Sequence, residues 1–199
     1  MSNTVALILA RGGSKRLPRK NIYPIFDVPM LAYTIAACKD SKHIGQIFVS
    51  TEDEEIKKVA REHGAEVIDR PEELAGDKVW NQPVLEHAVS EFERMGIPVD
   101  VVAHIQANSP MVETEKIDEA IEKILNPKRK IWEVFSMDEE GYENAAIHVF
   151  RKEVAFQKAL SVYVAIVTTN YPDVHTLEDV KEVEKKWGKH LKARKKKIK

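Results

Sequence analysis

Three observations predict an α/β fold: a mostly parallel sheet with helices on both faces. Short apolar runs alternate with amphipathic stretches along most of the chain. The first run, Val5 to Leu9, is continuously apolar, as in strands buried on both faces of a parallel sheet. Glycine or proline punctuates the ends of the amphipathic stretches, at the spacing expected of βαβ units.

Each element follows from its residues. Val5–Leu9 is the first strand. Pro29 suits the first turn of a helix over residues 30–40, where Leu31, Ile35 and Cys38 share one face beside the small Thr34. Residues 46–50 form a second strand, and Asp53 to His63 a helix stopped by Gly64. Residues 66–69 make a short third strand, followed by a loop over 70–80. Pro83 opens a helix that runs to about Met95 and stops at Gly96. Residues 99–106 are a fourth strand. Glu113 to Leu125 is amphipathic, with Ile117, Ala120, Ile121 and Ile124 on one side. Residues 132–137, 145–150 and 162–168 are later strand candidates. Thr176 with Asp179 reads as a capping box that opens the last helix. With no internal repeat or linker, residues 1–190 read as one domain, and 191–199 as a basic tail expected to fray.

Composition narrows the function. A chain of 199 residues can bury one substantial core. Apolar residues make up 43% and the net charge is only -1, so no global field draws the protein to nucleic acid or to an anionic membrane. A nucleic-acid partner is therefore the least favoured, and it would rest on the basic first loop and tail alone. Cys38, the single cysteine, excludes an intrachain disulfide and a cysteine metal cluster, and its apolar setting makes it a buried, inert thiol. No apolar stretch approaches the roughly 18 residues that span a bilayer. The N-terminus lacks a signal-peptide pattern, so a cytoplasmic location without a membrane partner is expected.

The chemistry concentrates in "ARGGSKRLPRKN", residues 10–21. Gly12 and Gly13 let the backbone turn sharply and approach a ligand. Exposed N–H groups with Ser14 can cradle phosphate oxygens. Arg11, Lys15, Arg16, Arg19 and Lys20 supply the charge that a nucleoside triphosphate needs. The spacing is neither a Walker P-loop nor G-x-G-x-x-G. Composition alone leaves a phosphate cradle and a solvated basic turn equally open.

The order of residues decides between them. "LILARGGSKRLPRKNI" closely resembles the signature of the CMP-sialic acid synthetase-like cytidylyltransferases, and the similarity continues through "VSTEDEEI", "GAEVIDRPEELAGD", "IQANSP" and "DVHTLEDV". The resemblance implies a Rossmann-like nucleotidyltransferase domain that transfers CMP from CTP to an acidic sugar of the sialic, legionaminic or pseudaminic type, releasing pyrophosphate. It implies nucleotide contacts at Ala10, Arg11, Gly12, Gly13, Ser14, Lys20, Asn21 and Arg70. It also implies sugar contacts at Gln106, Asn108 and Ser109, and catalytic roles for Arg11, Lys20 and Asp173.

Three departures stand out. The family's Asp-x-Asp metal pair is here Asp173 and His175. Mg²⁺ remains the expected metal, with Mn²⁺ a second choice because imidazole suits softer ions; alternatively, His175 simply faces solvent ahead of the Thr176 cap. Ala107, Asn108, Met111 and Val112 replace the usual Pro, Thr, Leu and Arg of the sugar loop, which opens the same scaffold to another sugar or nucleotide, whereas His175 and a missing dimerisation arm open a third reading, nucleotide binding without catalysis. Between Met137 and Ala145 the chain is too short for the family's dimerisation arm, leaving a differently built homodimer or a compact monomer. Two further residues keep two readings each. Asp77 is a loop-stabilising acid or a ligand contact, and Trp80 covers a base or packs as a hinge aromatic.

Overall fold

The computed structural model of the protein describes residues 3–159 and 161–198. The strands and helices are β1 Thr4–Leu9, β2 Pro24–Ile25, β3 Val28–Pro29, α1 Met30–Lys39, β4 Ile44–Thr51, α2 Glu54–Glu62, β5 Glu66–Asp69, α3 Asn81–Arg94, β6 Val101–Ile105, α4 Thr114–Leu125, β7 Glu133–Met137, β8 Glu143–Arg151, β9 Val164–Thr168 and α5 Leu177–Ile198. One seven-stranded sheet has the order β5-β4-β1-β6-β8-β7-β9. Pairs β1–β4, β1–β6, β4–β5 and β7–β9 are parallel, whereas β8 runs antiparallel between β6 and β7. The expected α/β architecture is present, with β8 the exception to an all-parallel succession.

β1 shows why the strand is apolar throughout. Ala6 and Ile8 enter the core shared with α1, α2, α4 and α5, while Val5 and Leu7 enter the one shared with α3. Helices cover both faces, four against one. α2 begins at Asp53, whose carboxylate accepts the Ile56 N–H at 3.0 Å. It is stopped beyond His63 by Gly64 at φ +81°, a conformation that favours glycine. α3 starts two residues before Pro83, which therefore lies within the first turn, where its missing N–H costs nothing. The capping box also forms. Asp179 accepts the Thr176 N–H at 2.8 Å, and Thr176 Oγ1 accepts the Asp179 N–H at 3.2 Å.

Of two local features, the first departs from the expectations and the second, the short β7–β8 connection, agrees with them. The basic tail is not frayed: α5 continues through Ile198 with Leu191 fully buried. Arg194 donates through Nη1 to the carbonyls of Pro110 and Val112, and Lys197 pairs with Asp40 at 2.6 Å. Carbonyls and acids distant in sequence receive these cations, which a run of lysines does not reveal. Lys199 lies outside the described residues. Second, β7 and β8 are joined by a tight turn in place of an arm. Asp138 Oδ1 accepts the N–H groups of Glu140 and Tyr142, and Gly141 adopts φ +87°.

His104 lies near the carboxyl end of β6, 4% exposed, with Nε2 lacking a hydrogen-bond partner. Burial, and secondarily the neighbouring His148 and Arg70, push its pKa down to about 3. The folded state therefore holds a neutral imidazole where the unfolded chain takes up a proton below the usual histidine value. Stability is complete above about pH 6.5 and falls as the pH drops toward the folded-state value. Between pH 7 and 5 the loss assigned to His104 is about 2 kcal/mol. His104→Leu should flatten this acid limb, as read from urea midpoints at the two pH values. An unchanged limb would remove His104 as its source.

Candidate functional site

The strand order reverses at β1 and β6, and the cleft opens beyond their carboxyl ends, where ligands bind in sheets of this kind. Its volume is about 480 Å³. Arg11, Ser14, Lys15, Arg16, Lys20 and Asn21 form one wall; Arg70, Gly76 and Asn81 contribute to another; and Gln106, Asn108 and His175 stand on the third. The first loop, the segment after β6 and the segment before α5 thus share one rim.

The first loop is built by close contacts. Ala10 is buried and donates its N–H to Ser50 O at 3.1 Å. Gly12 N–H donates to Glu52 Oε1 at 2.7 Å. A Cβ on Gly12 would lie 2.4 Å from Asp53 Oδ2 and 2.9 Å from Asp53 Cβ, so glycine is required here by close approach. Gly13 faces open space. The buried Asn21 ties the two ends of the loop together, donating from Nδ2 to Arg11 O at 2.9 Å. Arg19 departs from its expected role. With φ 59°, it turns its guanidinium onto Asp53 at 2.5 and 2.9 Å, and onto Glu55. It clamps the start of α2 and is not on the cleft wall.

The remaining cations crowd one another. Desolvation lowers the pKa of Lys20, and Arg16 and Arg11 push it the same way, while Asp173 opposes them. Arg70 is 7% exposed and anchored on Ser50, with Nε to Oγ at 3.2 Å and Nη2 to the carbonyl at 2.7 Å. Burial brings its pKa down to about 10, with Glu52 opposing. A desolvated positive field lined with flexible donors is what a polyphosphate would neutralise.

The opposite rim is a braced unit. Asn108 donates from Nδ2 to Val174 O at 3.1 Å and accepts the Val174 N–H on its own carbonyl at 3.1 Å. Ser109 is fully buried, and its hydroxyl donates to Asp173 Oδ1 at 3.0 Å. Gln106 lines the cleft beside them. Burial raises the pKa of Asp173 despite Ser109, His175 and Lys20; it lowers that of His175, with Lys20 and Arg16 acting in the same sense. His175 Nε2 lies 3.7 Å from Asp173 Oδ2. Among the described residues no group of three or more His, Cys, Asp or Glu side chains is arranged to hold a metal. The departures at Ala107, Met111 and Val112 are buried in the core, so they shape the loop from beneath and do not line the cleft.

A family profile described as cytidylyltransferase matches residues 5–195. The chain belongs to the cytidylyltransferase family. This member is 40% identical over 132 residues to the N-acylneuraminate cytidylyltransferase of Oncorhynchus mykiss, covering 66% of this chain and 29% of the relative. It is 31% identical over 127 residues to the pseudaminic acid cytidylyltransferase of Campylobacter jejuni, covering 63% of this chain and 55% of the relative. The matched region thus spans less than a third of the first relative and about half of the second. Its fold is also that of a CMP:2-keto-3-deoxy-manno-octonic acid synthetase solved with CTP, at a TM-score of 0.78, 14% identity, and coverage of 96% and 100% of the two chains.

Several wall residues of this cytidylyltransferase-family cleft escape sequence reading. Leu74, Gly76, Val79 and Val84 reach it from the 70–80 loop and the first turn of α3. Glu52 reads in sequence as part of an acidic helix start, and only the fold turns its carboxylate onto the Gly12 amide. No helix among the described residues is long and apolar enough to cross a membrane.

Proposed function

We propose that this chain transfers CMP from CTP to the hydroxyl of an acidic sugar and releases pyrophosphate. The observation that carries the reading is a single cleft with five basic side chains on two of its walls and amide and imidazole groups on the third. The named activities of the relatives favour cytidine and an acidic nine-carbon sugar. In this reading, Arg11, Ser14, Lys20 and Arg70 bind the phosphate chain, and Asn21 keeps the loop in shape. Gln106 contacts the sugar, while Asn108 and Ser109 position the segment around Asp173. The sugar hydroxyl attacks the α-phosphorus as the bond to the bridging oxygen breaks. Catalysis is then mostly positioning and neutralisation of charge on the departing pyrophosphate.

Asp173 and His175 are the residues that would hold a divalent cation. A desolvated carboxylate with a raised pKa is under-compensated by its surroundings, which suits an added cation. One carboxylate with phosphate oxygens and water matches Mg²⁺, and the imidazole extends the set to Mn²⁺. Such an ion supplies Lewis-acid stabilisation of the phosphate oxygens when bound.

The test is pyrophosphate release across four nucleoside triphosphates and a panel of sialic, legionaminic, pseudaminic and 3-deoxy-octulosonic acids, with each metal. Release confined to CTP plus an acidic sugar is expected. The set of only two candidate metal ligands favours one second reading, a nucleotide-binding protein without turnover. CTP binding with no release from any pair would select it.

A further inference from the structure

The cleft holds an anion of its own. Asp77, on the loop between β5 and α3, pairs with Arg11 at 2.5 Å and with Lys15. Arg11 also donates to the carbonyl of Ala75 at 3.5 Å. These contacts bring the two loops together across the mouth of the cleft, and both cations line it. Asp77 itself is well exposed, its side chain 34% accessible, so the pairs are held at a wet surface. The cradle's other acids are tied down differently. Glu52 lies on the Gly12 amide, and Asp53 is locked by Arg19 and by the α2 cap.

We propose that Asp77 is a displaceable internal anion that competes with the incoming phosphate chain for Arg11 and Lys15, so that a polyphosphate must displace it and binds more weakly than the two cations alone would allow. The inference rests on the phosphate-site reading above and names the residue that tempers its affinity. An orthophosphate, with about two charges, can sit on Arg16 and Lys20, which also line the cleft, without displacing the carboxylate. A triphosphate carries more charge and reaches Arg11, Lys15, Arg16 and Lys20 together, so the exchange is favourable only for the longer anion. Apparent affinity is the intrinsic affinity scaled by the fraction of molecules in which the two cations are free. Exposed ion pairs are individually weak, so this fraction is reduced modestly. Only ligands that need both cations bear the reduction.

Asp77→Asn tests this by calorimetric titration of the full chain with inorganic tripolyphosphate and with orthophosphate. The variant should bind tripolyphosphate about five- to tenfold more tightly, with orthophosphate affinity unchanged. Glu73→Gln removes the same charge from the same loop and should leave both unchanged. Unchanged or weaker tripolyphosphate binding by Asp77→Asn overturns the proposal and makes Asp77 a positioner of Arg11. An equal gain from Glu73→Gln overturns it too, because the effect would then be general repulsion. Failure of CTP to bind, with the tripolyphosphate results as expected, would bring down the cytidylyltransferase reading and leave the internal anion standing.

Discussion

Lys20→Ala is expected to lower kcat/KM by about 10²–10³-fold while leaving the fold intact. Lys20 opens a short 3-10 turn at the end of the first loop and lines the cleft. There it is partly desolvated, beside Arg11 and Arg16. A donor in such surroundings strengthens most when negative charge develops on the leaving phosphate, so the loss should fall mainly on kcat. The sign of the stability effect separates catalysis from structure. The folded-state pKa of Lys20 is lowered, so its charge is held at a cost, and removing it should leave the urea midpoint unchanged or slightly raised. The same shift sets the alkaline limb. Activity should fall as Lys20 loses its proton, at a pH below the usual lysine value. Lys20→Arg retains charge but substitutes a rigid fork, so it should recover part of the rate and move that limb upward. Unchanged pyrophosphate release by Lys20→Ala would remove the residue from the reaction.

Asp173→Asn should reduce turnover by a comparable factor, about 10²–10³-fold, with wild-type stability. The substitution is isosteric. The amide oxygen can still accept the Ser109 hydroxyl now bound to Oδ1 at 3.0 Å, so the brace between the sugar loop and the segment before α5 survives. What disappears is the negative charge beside His175 and Lys20. If Asp173 holds a cation, the variant needs a higher concentration of Mg²⁺ or Mn²⁺ for half-maximal rate. Direct titration of Mn²⁺ by electron paramagnetic resonance should show weaker binding independently of rate. Ser109→Ala provides the contrast. It leaves the charge but removes the tether, and should lower the rate less than Asp173→Asn does. Wild-type rate and metal affinity in Asp173→Asn would exclude the carboxylate from both roles.

Much of the site was legible because its order is local. The backbone turn at Gly12 and Gly13, the cations that follow and Asn21 lie within one loop, and a strand that ends in such a loop points it at the rim. Arg19 was misread for the same reason. In sequence it is one more cation of the loop, and only a left-handed backbone and the acid that caps α2 divert it from the cleft. Val112 stands where the family has an arginine in the sugar loop, yet it is a core residue whose carbonyl receives Arg194. The basic C-terminal stretch looked like a frayed end because its acceptors, on Pro110, Val112 and Asp40, are about 80 or more positions away.

By itself, the sequence determined the alternation of strand and helix, the apolar faces, the helix caps and a cation-rich loop after the first strand. All of these follow from periodicity and from interactions between residues close in the chain. Only the tertiary structure decided which charges remain available in the cleft. It seats Glu52 on the Gly12 amide, turns Arg19 away, and lays Asp77 across Arg11 and Lys15. Which opposite charges meet depends on where the crossovers carry the loops, and no local spacing encodes that geometry.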